Sequence, residues 1–208
     1  MAESMLLLDT NILSLMGRRK SPPGLRPWLL EVGIDRLGIC YPVIAELLRG
    51  VHLRMHDNPA RAAEIRFWVE QILATDFPRP DMTPEVASVY AEMTSLPRLK
   101  NMWVVQKNQR NGRLGHDLMI AAVAIAHRLP IVTANVADYV RINEHFALPG
   151  IYHPLEARWH VRPGIRVTLP RFNLAASDSA DTVLPTISES QRLSGERAIS
   201  TCSRRDTT

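Results

Sequence analysis

The sequence predicts an α/β protein built on a parallel sheet, and two observations carry that prediction. A short apolar run, Met5-Leu6-Leu7-Leu8, stops abruptly on Asp9, Thr10 and Asn11. Runs of this length with polar boundaries suit strands buried on both faces. A second run, Pro130-Ile131-Val132-Thr133, is fed by the most apolar stretch of the chain, Leu118 to Arg128. A helix leading into such a strand is the unit from which parallel sheets are assembled. In open sheets of this kind the carboxyl ends of the strands open into the ligand crevice, so Asp9 faces a site. Read singly, Asp9 also suits a plain helix N-cap.

The remaining elements follow in order. Ile12 to Met16 begins a helix, and the basic, proline-rich segment from Gly17 to Gly24 interrupts it. Arg26 to Val32 is a second short helix with Trp28, Leu29 and Val32 at helical spacing, and Leu37 to Tyr41 reads as a strand. Pro42 stands at the first turn of the next helix, Pro42 to Leu53, where its missing N–H costs nothing, and Glu46 lies in the opening turns. Asn58-Pro59 starts a helix whose stripe is Ile65, Trp68, Val69, Ile72 and Leu73, ending near Ala74. After a proline-punctuated connector, Thr83-Pro84-Glu85 repeats the start signal ahead of Val86, Val89, Tyr90 and Met93. These two amphipathic helices are expected to pack as a hairpin, because the connector between them is short. Gly115-His116-Asp117 opens the apolar helix, and Ala134 to Tyr139 is a polar turn into a further helix. A pair of short strands is expected around Val161 and Val167, and Ala175 to Thr208 has a disordered composition.

A chain of 208 residues suits one well-packed domain with a tail. No apolar run reaches the roughly 18 to 20 residues of a membrane helix. Nor does a basic region precede the first apolar run, as a signal peptide requires, so a cytoplasmic location is expected. Cys40 and Cys202 lie far apart without metal-ligand spacing, which argues against a structural disulfide. The net charge of +4 is weak support for nucleic-acid binding by the domain, because Arg158 to Thr208 holds eight arginines against five acids. A local patch says more. Arg98, Lys100, Lys107, Arg110 and Arg113, with Trp103 among them and no acid from Leu96 to His116, form a candidate RNA-binding stretch. Such a run also suits a solvated loop.

Four acids carry the chemistry: Asp9 ends a strand, Glu46 lies early in a helix, Asp117 begins the buried helix, and Asp138 follows the strand which that helix feeds. A parallel sheet gathers all four at one edge. Two unit charges about 4 Å apart repel by about 4 kcal/mol at an effective dielectric near 20, so something positive must sit between them. Oxygen ligands without His or Cys select Mg²⁺ or Mn²⁺ over zinc. An ion held by few carboxylates keeps positions for a phosphate oxygen and an attacking water, the arrangement of metal-assisted phosphodiester hydrolysis. His116, beside Asp117, reads as a positioning or solvent-facing residue, because such hydrolysis needs no histidine base.

In order and spacing, the segments Met5 to Asn11, Tyr41 to Leu47, Asp117 to Ala122 and Thr133 to Tyr139 resemble PIN-domain ribonucleases of the VapC toxin type. The resemblance covers about Met5 to Pro154. It implies a PIN-like, Rossmann-like α/β/α sandwich over residues 1–154, with 155–208 as a C-terminal extension. It also implies Mg²⁺-dependent endonucleolytic cleavage of RNA, a VapB-like antitoxin partner and a homodimer. Asp9, Glu46, Asp117 and Asp138 take the family's metal-binding, catalytic positions, with Thr10, Asn11, Thr133 and Asn135 as supporting polar residues. Some relatives place the fourth acid where this chain has Asn135, others where it has Asp138. Thr133 is commonly followed by Arg in the family, and here Ala134 follows it. Two other classes compete: a PIN-like module with an incomplete acid set that acts by protein or RNA binding, and a phosphatase or flap-type DNA nuclease that shares the acids.

Overall fold

The computed structural model describes residues 4–18, 21–104 and 116–172. Its centre is strand β1 (Leu6–Leu8), whose three leucines are wholly buried. Strand β2 (Leu37–Gly38) lies on one side of β1 and β3 (Ile131–Val132) on the other, both parallel to it. β4 (Ile151–His153) continues the parallel set beyond β3, and β5 (Arg158–Val161) closes the edge antiparallel to β4. The order β2-β1-β3-β4-β5 puts the first and third strands side by side at the middle of the sheet. Four strands are therefore parallel and only the last edge departs.

Helices α1 (Thr10–Met16) and α2 (Leu25–Val32) follow β1. A 3-10 turn over Ile34–Arg36 leads into β2, and the strand expected at Leu37 to Tyr41 is cut short at its far end, where Tyr41 already opens the next helix. That helix, α3 (Tyr41–Asp57), runs well beyond the expected end at Leu53. α4 (Pro59–Ala74) starts as its sequence predicts, because the Asn58 side chain accepts a hydrogen bond from the Arg61 amide. The single residue between α3 and α4 folds them back on each other, so the helical hairpin is α3 with α4. α5 (Pro84–Ser95), capped by Thr83, packs instead against α6 (His116–His127). The hairpin expected between the Asn58 and Thr83 helices is thus corrected: both carry an apolar stripe, and tertiary packing chose their partners. α6 buries Leu118 and every residue from Ile120 to Ala124, as its composition requires. α7 (Val136–Asn143) follows β3.

The strand pair around Val161 and Val167 is half correct. Val161 lies in β5, but the partner is Ile151–His153, a strand the sequence did not announce. Val167 is not in a strand. Its segment lies on the core through Val167, Leu169 and Phe172. Its carbonyls are taken by side chains, Thr168 by Arg36 and Pro170 by the Trp28 indole, instead of by a neighbouring strand. Tyr152 stacks on Trp28 at 5.7 Å and meets Trp159 at 4.9 Å, fixing β4 and β5 onto α2. No described helix is long and apolar enough to cross a membrane. The tail from Ala175 lies outside the described residues.

Candidate functional site

Parallel pairing of β1 with β3 fixes where the first carboxylate stands. The Asp9 amide donates to the Val132 carbonyl at 3.0 Å, so Asp9 and Thr133 leave the sheet side by side. Asp9 occupies the N-cap position of α1, yet its side chain makes no capping bond. It turns instead into the crevice, where Oδ2 accepts from Thr133 Oγ1 at 2.7 Å and from the Asn11 amide. Asn11 Nδ2 also reaches Thr133 Oγ1 at 3.0 Å, and its Oδ1 accepts from the Ala134 amide at 2.8 Å, tying the two strand ends together. The plain capping reading of Asp9 is thereby set aside.

The other acids arrive from separate elements. Glu46, on the second turn of α3, accepts from Thr10 Oγ1 at 2.7 Å, and His116 Nδ1 lies 3.5 Å from the same oxygen. Asp117 stands in the first turn of α6 and Asp138 in the first turn of α7. Asn135 Nδ2 donates to Asp138 Oδ2 at 2.8 Å, and the Asn135 amide donates to Thr133 Oγ1. Asp9, Thr10, Asn11, Glu46, Asp117, Asn135 and Asp138 line a single open cavity of about 900 Å³. Thr133, wholly buried, forms its support from below.

Electrostatics follow from this crowding. Burial, then the charges of Asp117 and Glu46, push the Asp9 carboxyl up to about 7 against the pull of the Thr133 hydrogen bond. Burial also pushes Glu46 upward, but the hydrogen bonds from His116 and Thr10 and the nearby charge of Arg49 bring it below its ordinary value. Tyr139, wholly enclosed behind the site, has its phenol raised by burial and then by the charges of Asp9 and Asp117. Among the described residues, no three Asp, Glu, His or Cys side chains stand close enough to hold a metal ion as they are placed. The chemistry of the donor set still fits a hard divalent cation. The cavity's acids present oxygen alone, and burial together with the charges of Asp117 and Glu46 raises the Asp9 carboxyl to about 7, the charge part of which a cation would offset.

The basic patch is only partly described. Arg98 and Lys100 are exposed on a 3-10 segment, Pro97–Met102, and neither lines the cavity. Lys107, Arg110 and Arg113 lie outside the described residues. Sequence reasoning passed over Arg49 and Arg54, which do line the cavity beside Arg18 and His116. The available signal was helical spacing, since Arg49 and Arg54 lie three and eight residues beyond Glu46 on α3.

Comparison with known proteins gives a family and several similar solved structures. Residues 6–142 match the PIN domain family. FitAcB from Neisseria gonorrhoeae is 24% identical with a TM-score of 0.50, over 67% of this chain and 94% of that one. VapBC2 from Rickettsia felis, solved with a DNA fragment from its promoter, is 23% identical with a TM-score of 0.48, over 67% and 94%. VapBC-5 from Mycobacterium tuberculosis, a member of the VapBC family of toxin-antitoxin systems, is 20% identical with a TM-score of 0.45, over 68% and 93%. No curated protein matches the chain. With the family's match spanning β1 to α7, and with strand ends that bring Asp9 and Thr133 together, the chain belongs to the PIN domain family.

Proposed function

We propose that this protein is a Mg²⁺- or Mn²⁺-dependent endoribonuclease that hydrolyses RNA phosphodiester bonds, the toxin of a toxin-antitoxin pair. The observation that carries the reading is the convergence of Asp9, Glu46, Asp117 and Asp138 from four separate elements onto one cavity. Asp9, Glu46, Asp117 and Asp138 would hold the ion, which when bound supplies Lewis acidity toward a phosphoryl oxygen. Thr133 and Asn11 fix the orientation of Asp9, and Thr10 with His116 fixes that of Glu46. Asn135 orients Asp138. Arg18, Arg49 and Arg54 supply positive charge at the rim for the substrate's phosphates. A VapB-like antitoxin and a homodimer follow from the resemblance, and these, with the cytoplasmic location expected from the sequence, belong to the same proposal.

The test is digestion of RNA by purified protein with Mg²⁺, with Mn²⁺ and with chelator. Cleavage should require the ion, and Asp9→Asn should abolish it without unfolding the protein. Cleavage that persists in chelator overturns the reading, and digestion of DNA in parallel sets the substrate class.

A second reading, a PIN-like module that binds RNA or protein without cutting, is favoured by one observation: the acids do not stand as a ready three-ligand cage. Isothermal titration decides between the two, because heat of Mn²⁺ binding lost in Asp9→Asn supports the enzyme.

A further inference from the structure

Glu46, Arg49, Gly50, Leu53, Arg54 and Asp57 of α3 all line the site cavity, each three or four residues from another of them. Residues so spaced share one helix face, which makes the cavity a groove of about 16 Å along α3 from its acid end outward. Away from the acid cluster positive charge outweighs negative. Arg49 is exposed one turn beyond Glu46, Arg54 is exposed farther along with Asp57 beyond it, Leu53 is half exposed, and Arg18 enters from the end of α1. At the centre of the stripe stands Gly50, where an added Cβ would meet no atom within 4 Å. A glycine in mid-helix is a poor helix former, and here no packing contact requires it. What its bare backbone provides is an open groove floor.

Resting on the nuclease reading above, we infer that the α3 groove is a subsite for the RNA strand flanking the scissile phosphate, with Gly50 as its floor. Guanidinium groups at the rim take the phosphates of that strand, as they do in channels that track a single-stranded backbone. Leu53 offers an apolar surface to a sugar or base. The acid cluster then acts on one phosphodiester while the groove holds its neighbours, so an RNA long enough to occupy both is preferred over a dinucleotide.

The experiment compares cleavage of a dinucleotide with that of an RNA of about ten nucleotides, a length typical of single-strand sites. Gly50→Leu fills the groove floor without meeting any neighbour at its Cβ. The ratio of kcat/KM for the long over the short substrate is expected to fall about tenfold in Gly50→Leu and to fall less in Gly50→Ala. A ratio unchanged in Gly50→Leu, or loss of both substrates in parallel, overturns the subsite. Arg54→Gln is measured by fluorescence anisotropy of the labelled RNA without metal. Its slope of log affinity against log salt should drop by about 0.7, the value for one phosphate contact on a single strand. An unaltered slope overturns the assignment of Arg54. The nuclease reading fails separately, through absent cleavage of either substrate by the unaltered protein. In that case metal-free binding weakened by Gly50→Leu still supports the groove, and no binding of RNA by the unaltered protein overturns it in favour of a protein occupant.

Discussion

Thr133 Oγ1 donates a 2.7 Å hydrogen bond to Asp9 Oδ2, joining residues 124 positions apart through the ends of neighbouring parallel strands. A bond to a charged acceptor contributes about 1.5 to 3 kcal/mol, and here it favours the ionised carboxylate. Thr133→Val preserves the shape and removes the donor. The acid limb of the rate-against-pH profile is expected to move to higher pH, because Asp9 loses the interaction that lowers its pKa. Chemical denaturation at pH 8 should show lower stability. A limb that stays in place would count against the assigned role of Thr133.

The raised pKa of Asp9 makes the metal-free fold sensitive to pH in a defined direction. Between the ordinary value of 3.8 and about 7, the folded state binds the Asp9 proton and the unfolded state does not. Stability therefore falls as pH rises through that window, by up to about 4 kcal/mol if the whole shift is expressed. Asp9→Asn should stabilise the metal-free protein at pH 7.5 while removing activity, since an amide oxygen can still accept from Thr133 and Asn11. Added Mn²⁺ should raise the melting temperature of the unaltered protein and leave that of Asp9→Asn nearly unchanged. Calorimetry at several pH values, with and without the ion, measures both effects.

His116 and Thr10 hold the same oxygen of Glu46. Removing the imidazole in His116→Ala should let the Glu46 pKa rise, because the His116 hydrogen bond and charge both lower it. Protonation of Glu46 would then compete with Mn²⁺ at higher pH. Titration calorimetry should find the acid limb of Mn²⁺ affinity displaced upward. His116→Gln, which keeps an N–H donor, should restore part of the displacement. A purely structural role for His116 would leave that limb where it is.

The Tyr139 hydroxyl is fully enclosed and has no hydrogen-bond partner among the described residues. A buried polar group in that condition costs about 1 to 3 kcal/mol. Tyr139→Phe is therefore expected to leave stability unchanged or to raise it by about 1 kcal/mol, as read from the urea midpoint. A large destabilisation would show that the hydroxyl is satisfied within the site.

The legible parts of this fold were those set by local chemistry. Leu6 to Leu8 could only be a doubly buried strand, Asn58 and Thr83 announced their helices, and the composition of α6 sent it to the interior. The place of Asp9 at a strand end and of Glu46, Asp117 and Asp138 in the opening turns of helices was also visible, because an apolar run ending on a carboxylate and a helix start are local patterns. The strand Ile151–His153 was not. Three residues give no periodicity, and only the alignment of Ile151 with Ile131 and of Tyr152 with Val132 in the sheet makes them a strand. Arg49 and Arg54 were missed for a similar reason. Whether a residue on an amphipathic helix faces solvent or a groove depends on what lies across from it, here the end of α1 and the start of α7.

The sequence by itself determined that Leu6–Leu8 and Ile131–Val132 are buried strands, where the acids stand relative to them, and that the donors are oxygens, since each of these depends on residues adjacent in the chain. Only the tertiary structure decided that α3 pairs with α4, that Asp9 turns from capping to Thr133, and that one face of α3 extends the acid cavity into a groove. Those outcomes depend on relative positions in space, which packing sets and no local pattern encodes.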